Sequence, residues 1–208
     1  MTSDGAAQDS AHDGGAGPAR PVPLLNIANV LTVSRLVMVP FFLVALFWDD
    51  GQDELWRWVA AALFVVASIT DRIDGDLARK RGLVTDFGKV ADPIADKALT
   101  GSALIGLSVL GDLPWWVTLV IIARELLVTG LRFWVIRHGV IPASRGGKLK
   151  TVLQTVAIGL YLVPLGEAFE LLRWTVMGLA VLATVVTGLD YVVRAVRLRG
   201  VGKRAMHS

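Results

Sequence analysis

The chain has 208 residues, of which 54% are hydrophobic and 19% are charged, and its formal net charge is +3. This composition is unusual for a soluble domain and favours an α-helical protein that crosses a membrane several times. The absence of cysteine excludes disulfides and thiolate metal sites. The basic residues lie between apolar segments and not on one soluble face, so we expect no nucleic-acid partner.

The N-terminal part of the sequence divides into three predicted elements. Residues 1–23 are rich in small and polar residues without an apolar period, which predicts a disordered tail. The first half of the segment that starts at Leu24 has an amphipathic pattern, typical of a helix lying in the membrane interface. Its second half, to Trp48, is a predicted first membrane span, and Pro40 marks a predicted bend between the two.

Five further apolar segments approach the roughly 20 residues that a helix needs to cross a bilayer. We predict spans at about 56–80, 88–110, 114–136, 149–165 and 171–198. The fold class is therefore all-α, with six transmembrane helices preceded by an interfacial amphipathic helix. One membrane domain is expected over 24–199, followed by a short basic tail at 200–208.

Charge in the connecting segments predicts the orientation of these spans. The connections after spans one, three and five are acidic, whereas those after spans two and four and the C-terminal segment are basic. Cytoplasmic loops carry the excess of lysine and arginine, so both termini are expected in the cytoplasm of a multi-pass protein of the cell membrane. Tryptophans at the predicted outer ends are typical of an interfacial aromatic belt: Trp48, Trp56, Trp58, Trp115, Trp116 and Trp174.

The stretch DRIDGDLARKRGLVTDFGKVADPIAD, residues 71–96, places six acidic residues around the basic turn between spans two and three. Residues three or four positions apart share one face of a helix. Asp71 and Asp74 therefore form one pair, and Asp92 and Asp96 form another. Because the turn is short, the two helices are expected to be antiparallel neighbours with the four carboxylates in one cytoplasmic pocket.

Four carboxylates this close together need compensation, because each charge costs on the order of 3 kcal/mol at the centre of a membrane helix. Divalent cations supply it, and a ligand set made only of oxygen suits Mg²⁺ or Mn²⁺ and disfavours zinc. Two such ions bridged by aspartate form a clamp for phosphoryl chemistry. The remaining acids, Asp76 on another helix face and Asp86 as an N-cap, are predicted to be structural.

Eight residues of this stretch match the signature DxxDGxxAR(x8)GxxxDxxxD without departure: Asp71, Asp74, Gly75, Ala78, Arg79, Gly88, Asp92 and Asp96. In these positions the chain resembles the CDP-alcohol phosphotransferases, a family with a six-helix fold. The resemblance covers about Leu24 to Arg199. Three further segments, NIANVLTVSRLVMVP, ARELLVTGLR and GKLKTVLQ, resemble the phosphatidylglycerophosphate synthase branch of that family.

The resemblance implies transfer of the phosphatidyl group of CDP-diacylglycerol to sn-glycerol 3-phosphate, with release of CMP. Asp71, Asp74 and Asp92 would hold two divalent cations, Mg²⁺ or Mn²⁺. Asp96 would complete the second metal site and act as the base on the acceptor hydroxyl. The donor would contact Asn29, Thr32, Gly75, Arg79 and Thr85. The family also implies a homodimer, which embeds among membrane lipids.

The phosphate of the acceptor requires a basic pocket on the cytoplasmic side. The candidates are Arg124, Arg132, Lys148, Lys150 and Arg194. Arg124 stands within a span, where arginine is costly, and Glu125 beside it is a candidate ion-pair partner in the bundle. Lys148 and Lys150 have an alternative interpretation, as part of a positive-inside loop that binds anionic lipid headgroups.

Two alternatives to this function remain. Another member of the same family would use a different acceptor, phosphatidylglycerol in a cardiolipin synthase or inositol phosphate in a phosphatidylinositol phosphate synthase. A divalent-cation transporter would use the four aspartates as a permeation site. Transport predicts polar residues that continue toward the outer face, whereas spans two and three are mostly apolar beyond Asp71 and Asp96.

Overall fold

The computed structural model describes the backbone of residues 27–81, 86–135 and 145–205, and the side chains of residues 30–70, 94–131 and 146–196. Within these ranges all regular structure is helical. The α-helices are α1 Ile27–Phe47, α2 Glu54–Arg81, α3 Asp86–Val109, α4 Trp115–Val135, α5 Arg145–Leu162 and α6 Glu170–Ala205. Short 3₁₀ turns at Trp48–Gly51 and Glu167–Phe169 precede α2 and α6. The apolar segments that follow the first are thus confirmed as helices, and α6 extends past its predicted end.

The predicted division of the first segment at Pro40 is wrong. Ile27–Phe47 is a single helix that contains Pro40, which membrane helices tolerate when neighbouring groups satisfy the backbone. The part of α1 whose side chains are described has polar groups inside the bundle. Thr32 and Arg35 are buried, whereas Val33 and Val37 on the other face are about half exposed.

The reversal between α1 and α2 depends on left-handed backbone. Asp49 and Asp50 have a φ of 51°, and Gly51 follows with a φ of 75°. Aspartate tolerates this region better than most residues because its short side chain bonds locally. A Cβ at position 51 would lie 2.7 Å from Leu110 Cδ1, so the turn packs directly on the end of α3.

Helix α1 occupies the crevice between the two helices that carry the acidic signature. Among the described residues it packs extensively on both α2 and α3, whereas α2 and α3 contact each other less. Small residues permit the close approach: a Cβ at Gly106 of α3 would lie 2.5 Å from Leu46 Cδ2 of α1. On the other side of the bundle, α6 packs against α4 and α5, and α5 joins the two halves through α2.

The outside of the bundle is apolar. Large hydrophobic side chains are exposed along every helix, among them Phe41, Leu55, Leu119, Leu171 and Leu182. A surface of this kind suits lipid and not water. Two stretches whose side chains are described, Val30–Gly51 and Glu167–Val196, are long and apolar enough to cross a membrane, and the described side chains of the other helices form shorter stretches. The fold therefore indicates a membrane protein.

Two arginines fix the end of the bundle where α2, α4 and α6 begin, which we call the opposite end. Buried Arg57 donates to Asp112 Oδ2 at 2.7 Å and to the carbonyl of Tyr161 at 2.9 Å. Arg173 donates to the carbonyls of Val163 and Leu165, at 2.8 Å each. These carbonyls lie in the last turn of α5 or just after it, where helical carbonyls lack partners within the helix. The opposite end is thus closed by charge-assisted caps on α5.

We predict that the Arg57–Asp112 pair contributes measurably to stability. Asp112→Asn should lower the free energy of unfolding by about 1–2 kcal/mol, because a hydrogen bond to a charged group contributes on this order and Asp112 is only 36% exposed. The measurement is thermal unfolding of the purified protein in detergent. Asp190→Asn is the matched control, because it breaks an exposed pair with Arg194 and should change stability by less than about 0.5 kcal/mol. Equal effects of the two variants would contradict the prediction.

Candidate active site

The depth of the acidic signature in the bundle follows from the contacts of α1. Phe42 of α1 meets Phe64 of α2 with ring centroids 6.1 Å apart, and Trp48 stacks on Trp56 at 4.6 Å, so these two helices are antiparallel. Moving two turns from the Phe42–Phe64 contact reaches residue 35 on α1 and residue 71 on α2. The backbone of Asp71 therefore lies level with Arg35.

The depth of the α3 residues follows in the same way from the contacts of α3 with α1. Gly106 faces Leu46, and Gly51 faces Leu110, so α1 and α3 run parallel. Three turns back from the Leu46–Gly106 contact lie residue 35 on α1 and residue 95 on α3. Asp96 is next to that position. One level of the bundle therefore contains Arg35, Asp71 and Asp96, and one turn further toward the end lie Thr32, Asp74 and Asp92.

Arg35 was missed by the sequence analysis, which assigned it no role. It is 2% exposed and lies on the inward face of α1, one turn from Thr32, which is 3% exposed. Burial of a guanidinium in a membrane bundle requires opposite charge nearby. The acidic residues of α2 and α3 nearest this level are Asp71 and Asp96. The available signal was an arginine within an apolar segment, the same signal that singled out Arg124.

The remaining predicted donor and metal residues lie at this same end, which we call the signature end. Asp74, Gly75 and Arg79 belong to α2, Asp92 belongs to α3 and Asn29 belongs to α1. The side chains of these residues and of Asp71, together with all of Thr85, lie outside the described part. The Asp96 side chain is described and is exposed. The expected convergence of the four carboxylates is thus supported by backbone position and stays a prediction for the side chains.

Three predicted or suspected residues of α4 and α5 do come together, in what we call the basic cluster: Arg124, Glu125 and Lys150. Lys150 Nζ donates to Glu125 Oε1, and Arg124 Nη1 donates to the same oxygen at 3.0 Å. Lys150 is 6% exposed, so it is not a solvated loop residue. Glu125 is therefore the ion-pair partner that the sequence suggested, and it links α4 to α5.

The basic cluster lies close to the acidic signature. The carboxylate of Asp96 attracts the ammonium of Lys150, and the ammonium of Lys97, next along α3, attracts the carboxylate of Glu125. The Coulomb energy of two charges falls as their distance grows, so these charges lie in the same region of the bundle. Helices α3, α4 and α5 thus bring Asp96 and the buried ammonium of Lys150 to the same end of the bundle.

Helix α6 supplies a further contact to the cluster. Arg124 Nη2 donates to Thr187 Oγ1 at 3.0 Å, and Thr187 in turn donates to the carbonyl of Ala183 at 2.6 Å. Gly188 lies against the aliphatic part of Arg124, since a Cβ there would be 2.9 Å from Arg124 Cγ. No pattern in the sequence points to Thr187, because a lone threonine in an apolar helix usually bonds only its own backbone.

The other predicted acceptor residues are not joined to this cluster in the described part. Lys148 is exposed near the start of α5. Arg194 is about half exposed and pairs with Asp190 one turn earlier in α6, Nε to Oδ1 3.0 Å. Arg132 lies in α4, and its side chain is outside the described ranges. Arg124 and Lys150 are therefore the two candidates for which the structure gives a shared site.

The residues at the signature end fit a divalent-metal site by their chemistry. The four aspartates offer only hard oxygen ligands, and no histidine occurs in α2 or α3. Among the described side chains there is no group of three or more potential metal ligands, since three of the four aspartates lie outside that part. The oxygen ligands and the backbone positions of the four aspartates, within about one helical turn of depth, thus suit a divalent cation.

The chain is thus a helical bundle with an apolar exterior, in which four aspartate positions lie within about one helical turn of depth at the end that also contains buried Arg35 and Lys150. The model of the CDP-alcohol phosphatidyltransferase family matches residues 25–186. The chain therefore belongs to the CDP-alcohol phosphatidyltransferase family, as the signature predicted.

Curated relatives carry this similarity along most of their length. A protein of Mycobacterium tuberculosis named probable phosphatidylglycerophosphate synthase is 60% identical over 182 residues, which are 88% of this chain and 86% of that protein. A CDP-diacylglycerol–glycerol-3-phosphate 3-phosphatidyltransferase of Bacillus subtilis is 38% identical over 182 residues, 81% of this chain and 94% of the relative. The Rickettsia felis protein of the same name is 38% identical over 175 residues, with 80% and 93% covered.

We predict strong coupling between Glu125 and Lys150. Glu125→Gln or Lys150→Met alone should each destabilise the protein by about 3 kcal/mol, because removing one partner of a buried pair leaves the other charge uncompensated. The double variant should lose clearly less than the sum. Thermal unfolding of the four proteins in detergent measures this. The exposed Arg194–Asp190 pair is the control cycle, with an expected coupling below about 0.5 kcal/mol. Additive effects at Glu125 and Lys150 would contradict the prediction.

Proposed function

We propose that this protein transfers the phosphatidyl group of CDP-diacylglycerol to sn-glycerol 3-phosphate, giving phosphatidylglycerophosphate and CMP. The observation that carries the proposal is the juxtaposition at the signature end. There α1, α2 and α3 bring the aspartate positions level with buried Arg35, and α4 and α5 add the basic cluster beside Asp96. The names of the relatives from Mycobacterium tuberculosis and Bacillus subtilis support the same reaction.

The donor is held at the signature end in this proposal. Asp71, Asp74, Asp92 and Asp96 would hold two divalent cations, Mg²⁺ or Mn²⁺, which neutralise charge on the donor pyrophosphate and on the departing CMP. Gly75, Arg79 and Thr85 contact the cytidylyl part, and Asn29 and Thr32 line the approach from α1. The burial of Thr32 one turn from Arg35 supports its place near the donor.

The acceptor reacts through its hydroxyl group. As the hydroxyl oxygen of glycerol 3-phosphate bonds to the phosphorus that carries the lipid, Asp96 accepts the hydroxyl proton, and the bond from that phosphorus to the CMP oxygen breaks. Arg124 and Lys150 hold the phosphate of the acceptor, with Arg132, Lys148 and Arg194 as further candidates. Buried Lys150 and partly buried Arg124 share one carboxylate in the basic cluster, so the cluster retains a positive charge for a phosphate.

The proposed setting is a membrane crossed by six helices, with both termini and the active site on the cytoplasmic side. Alternating loop charge supports this orientation, as do the exposed tryptophans Trp48, Trp58, Trp115, Trp116 and Trp174 toward the opposite end. The lipid tails of the donor then stay in the bilayer while the nucleotide meets a soluble acceptor. A homodimer is also proposed from the family resemblance, and cross-linking of the protein in native membranes tests it.

Ion transport through the signature helices is disfavoured by their packing. Between the aspartate level and the opposite end, the contacts of α1 with its neighbours are formed by an apolar core that includes Phe42, Leu46 and Phe64, each at most 1% exposed. A cation leaving the aspartates toward the opposite end would meet this apolar layer, which offers no ligands.

The acceptor assay tests the proposed function. Purified protein with CDP-diacylglycerol and Mg²⁺ or Mn²⁺ should release CMP when glycerol 3-phosphate is added, and chelation of the metal should stop the release. Phosphatidylglycerol and inositol phosphate, each offered alone, are the matched controls. Turnover only with one of these would assign a different acceptor in the same family. No release of CMP with any acceptor would overturn the transferase assignment.

We predict that Asp96→Asn lowers turnover by at least about a hundredfold, because general-base catalysis contributes on this order. Binding of CDP-diacylglycerol should change little, since three other aspartates remain for the metals. CMP release and titration of the donor measure the two effects. Asp76→Asn, in the same signature but on another helix face, should retain normal turnover. Near-normal turnover of Asp96→Asn would remove Asp96 from the role of base.

A further inference from the structure

We propose that Thr187 and Gly188 of α6 are positioning residues that orient Arg124 toward the phosphate of the acceptor. This inference rests on the proposed function, because it assigns a task to the basic cluster. Both residues lie just past the region 25–186 that the family model matches, and the aspartate signature does not include them. Their position thus adds α6 to a site otherwise built from α3, α4 and α5.

The guanidinium of Arg124 is held at both terminal nitrogens. Nη1 donates to Glu125 Oε1 and Nη2 donates to Thr187 Oγ1, each at 3.0 Å. The Nε atom is buried and makes no hydrogen bond within the described part of the chain. An arginine has five N–H donors in one plane, so fixing two of them sets the direction of the others. The remaining N–H groups of Arg124 are therefore preoriented donors for an anion.

Thr187 is itself rigid. Its hydroxyl donates to the carbonyl of Ala183, which leaves an oxygen lone pair for Arg124. A threonine fixed to its own helix in this way presents an acceptor without further loss of side-chain entropy. Thr187 thus acts on the guanidinium in the absence of ligand, as a preorganised contact should.

Gly188, next to Thr187 in α6, lies against the side chain of Arg124. A Cβ at this position would lie 2.9 Å from Arg124 Cγ and 3.4 Å from Nε. The Cγ atom belongs to the base of the side chain, which cannot move without displacing the guanidinium. The hydrogen bond to Thr187 and the close approach to Gly188 therefore restrict the orientation of Arg124.

The ligand of this arrangement is a phosphate monoester, because a planar guanidinium beside a buried ammonium favours a compact dianion with several acceptor oxygens. Lipid phosphodiesters carry a single charge and larger substituents. A preoriented Arg124 would thus help the enzyme select glycerol 3-phosphate over acceptors without a terminal phosphate.

Thr187→Val tests the hydroxyl. The substitution keeps the shape of the side chain but removes the hydrogen bond that Thr187 accepts from Arg124. It should raise the KM for glycerol 3-phosphate by about tenfold, since a hydrogen bond to a charged group is lost. The kcat and the KM for CDP-diacylglycerol should change less than twofold. Thr187→Ser should restore the KM. Thr175→Val is the matched control, because Thr175 bonds the carbonyl of Leu171 on the same helix and is exposed at the opposite end.

Gly188→Ala tests the fit. It should raise the same KM by displacing Arg124, whereas Gly178→Ala, where a Cβ meets nothing within 4 Å, should leave it unchanged. The outcome would overturn the inference if Thr187→Val and Gly188→Ala both keep the wild-type KM, or if they lower kcat and affect both substrates equally.

Direct binding separates this inference from the proposed reaction. Thermal stabilisation of each protein by glycerol 3-phosphate and by inorganic phosphate is measured without donor. Weaker stabilisation of Thr187→Val and Gly188→Ala, with wild-type behaviour of the controls, supports the inference even if another acceptor is the one turned over. Absence of any phosphate effect on the wild type overturns the inference, while CMP release with glycerol 3-phosphate then still supports the reaction.

Discussion

A charged side chain inside a helical bundle that faces lipid has no bulk water around it, so it must meet an opposite charge or a ligand. The signature end is organised by this constraint. Buried Arg35 lies level with Asp71 and Asp96, and Lys150, which pairs with Glu125, is also attracted by the carboxylate of Asp96. Each of the helices α1 to α5 contributes one of these charged residues, and each charge would be costly without a partner. The packing of these helices and the formation of the site therefore depend on each other, because separating the helices would leave a charge without its partner.

At the opposite end of the bundle, arginines have a structural task. Arg57 donates to a carbonyl in the last turn of α5, Arg173 donates to two carbonyls just after that helix, and Asp112 balances Arg57. Their donors are used for backbone groups, so these arginines stabilise the frame. At the signature end, by contrast, Arg124 donates to two side chains, Glu125 and Thr187. The arginines of the opposite end thus stabilise the helix bundle, whereas polar groups at the signature end are available for the proposed reaction.

The sequence predicted the helices, the family and Glu125 as a partner in the bundle, because these depend on local apolar length, fixed spacing and the cost of charge. It failed where side chains from distant segments meet. Thr187 contacts Arg124 across 63 positions of the chain, and no local pattern reports such a contact. Arg35 was missed for another reason: the first half of its segment was interpreted as a helix lying in the membrane interface, whereas Arg35 faces the core. Periodicity gives the faces of a helix but not which face is inside.

The inverted pattern of α1 explains how one helix serves both the lipid and the site. Its outward residues, such as Val33, Val37 and Phe41, are apolar and exposed, which suits the acyl chains of the bilayer. Its inward face is polar at Thr32 and Arg35 and becomes apolar from Phe42 onward. A lipid-linked nucleotide has the same division, with tails in the bilayer and a charged head at its edge. In the proposed reaction, the change along α1 therefore limits how deep the charged headgroup of the donor can enter. Polar groups are available to it as far as Arg35, whereas the layer at Phe42 is apolar.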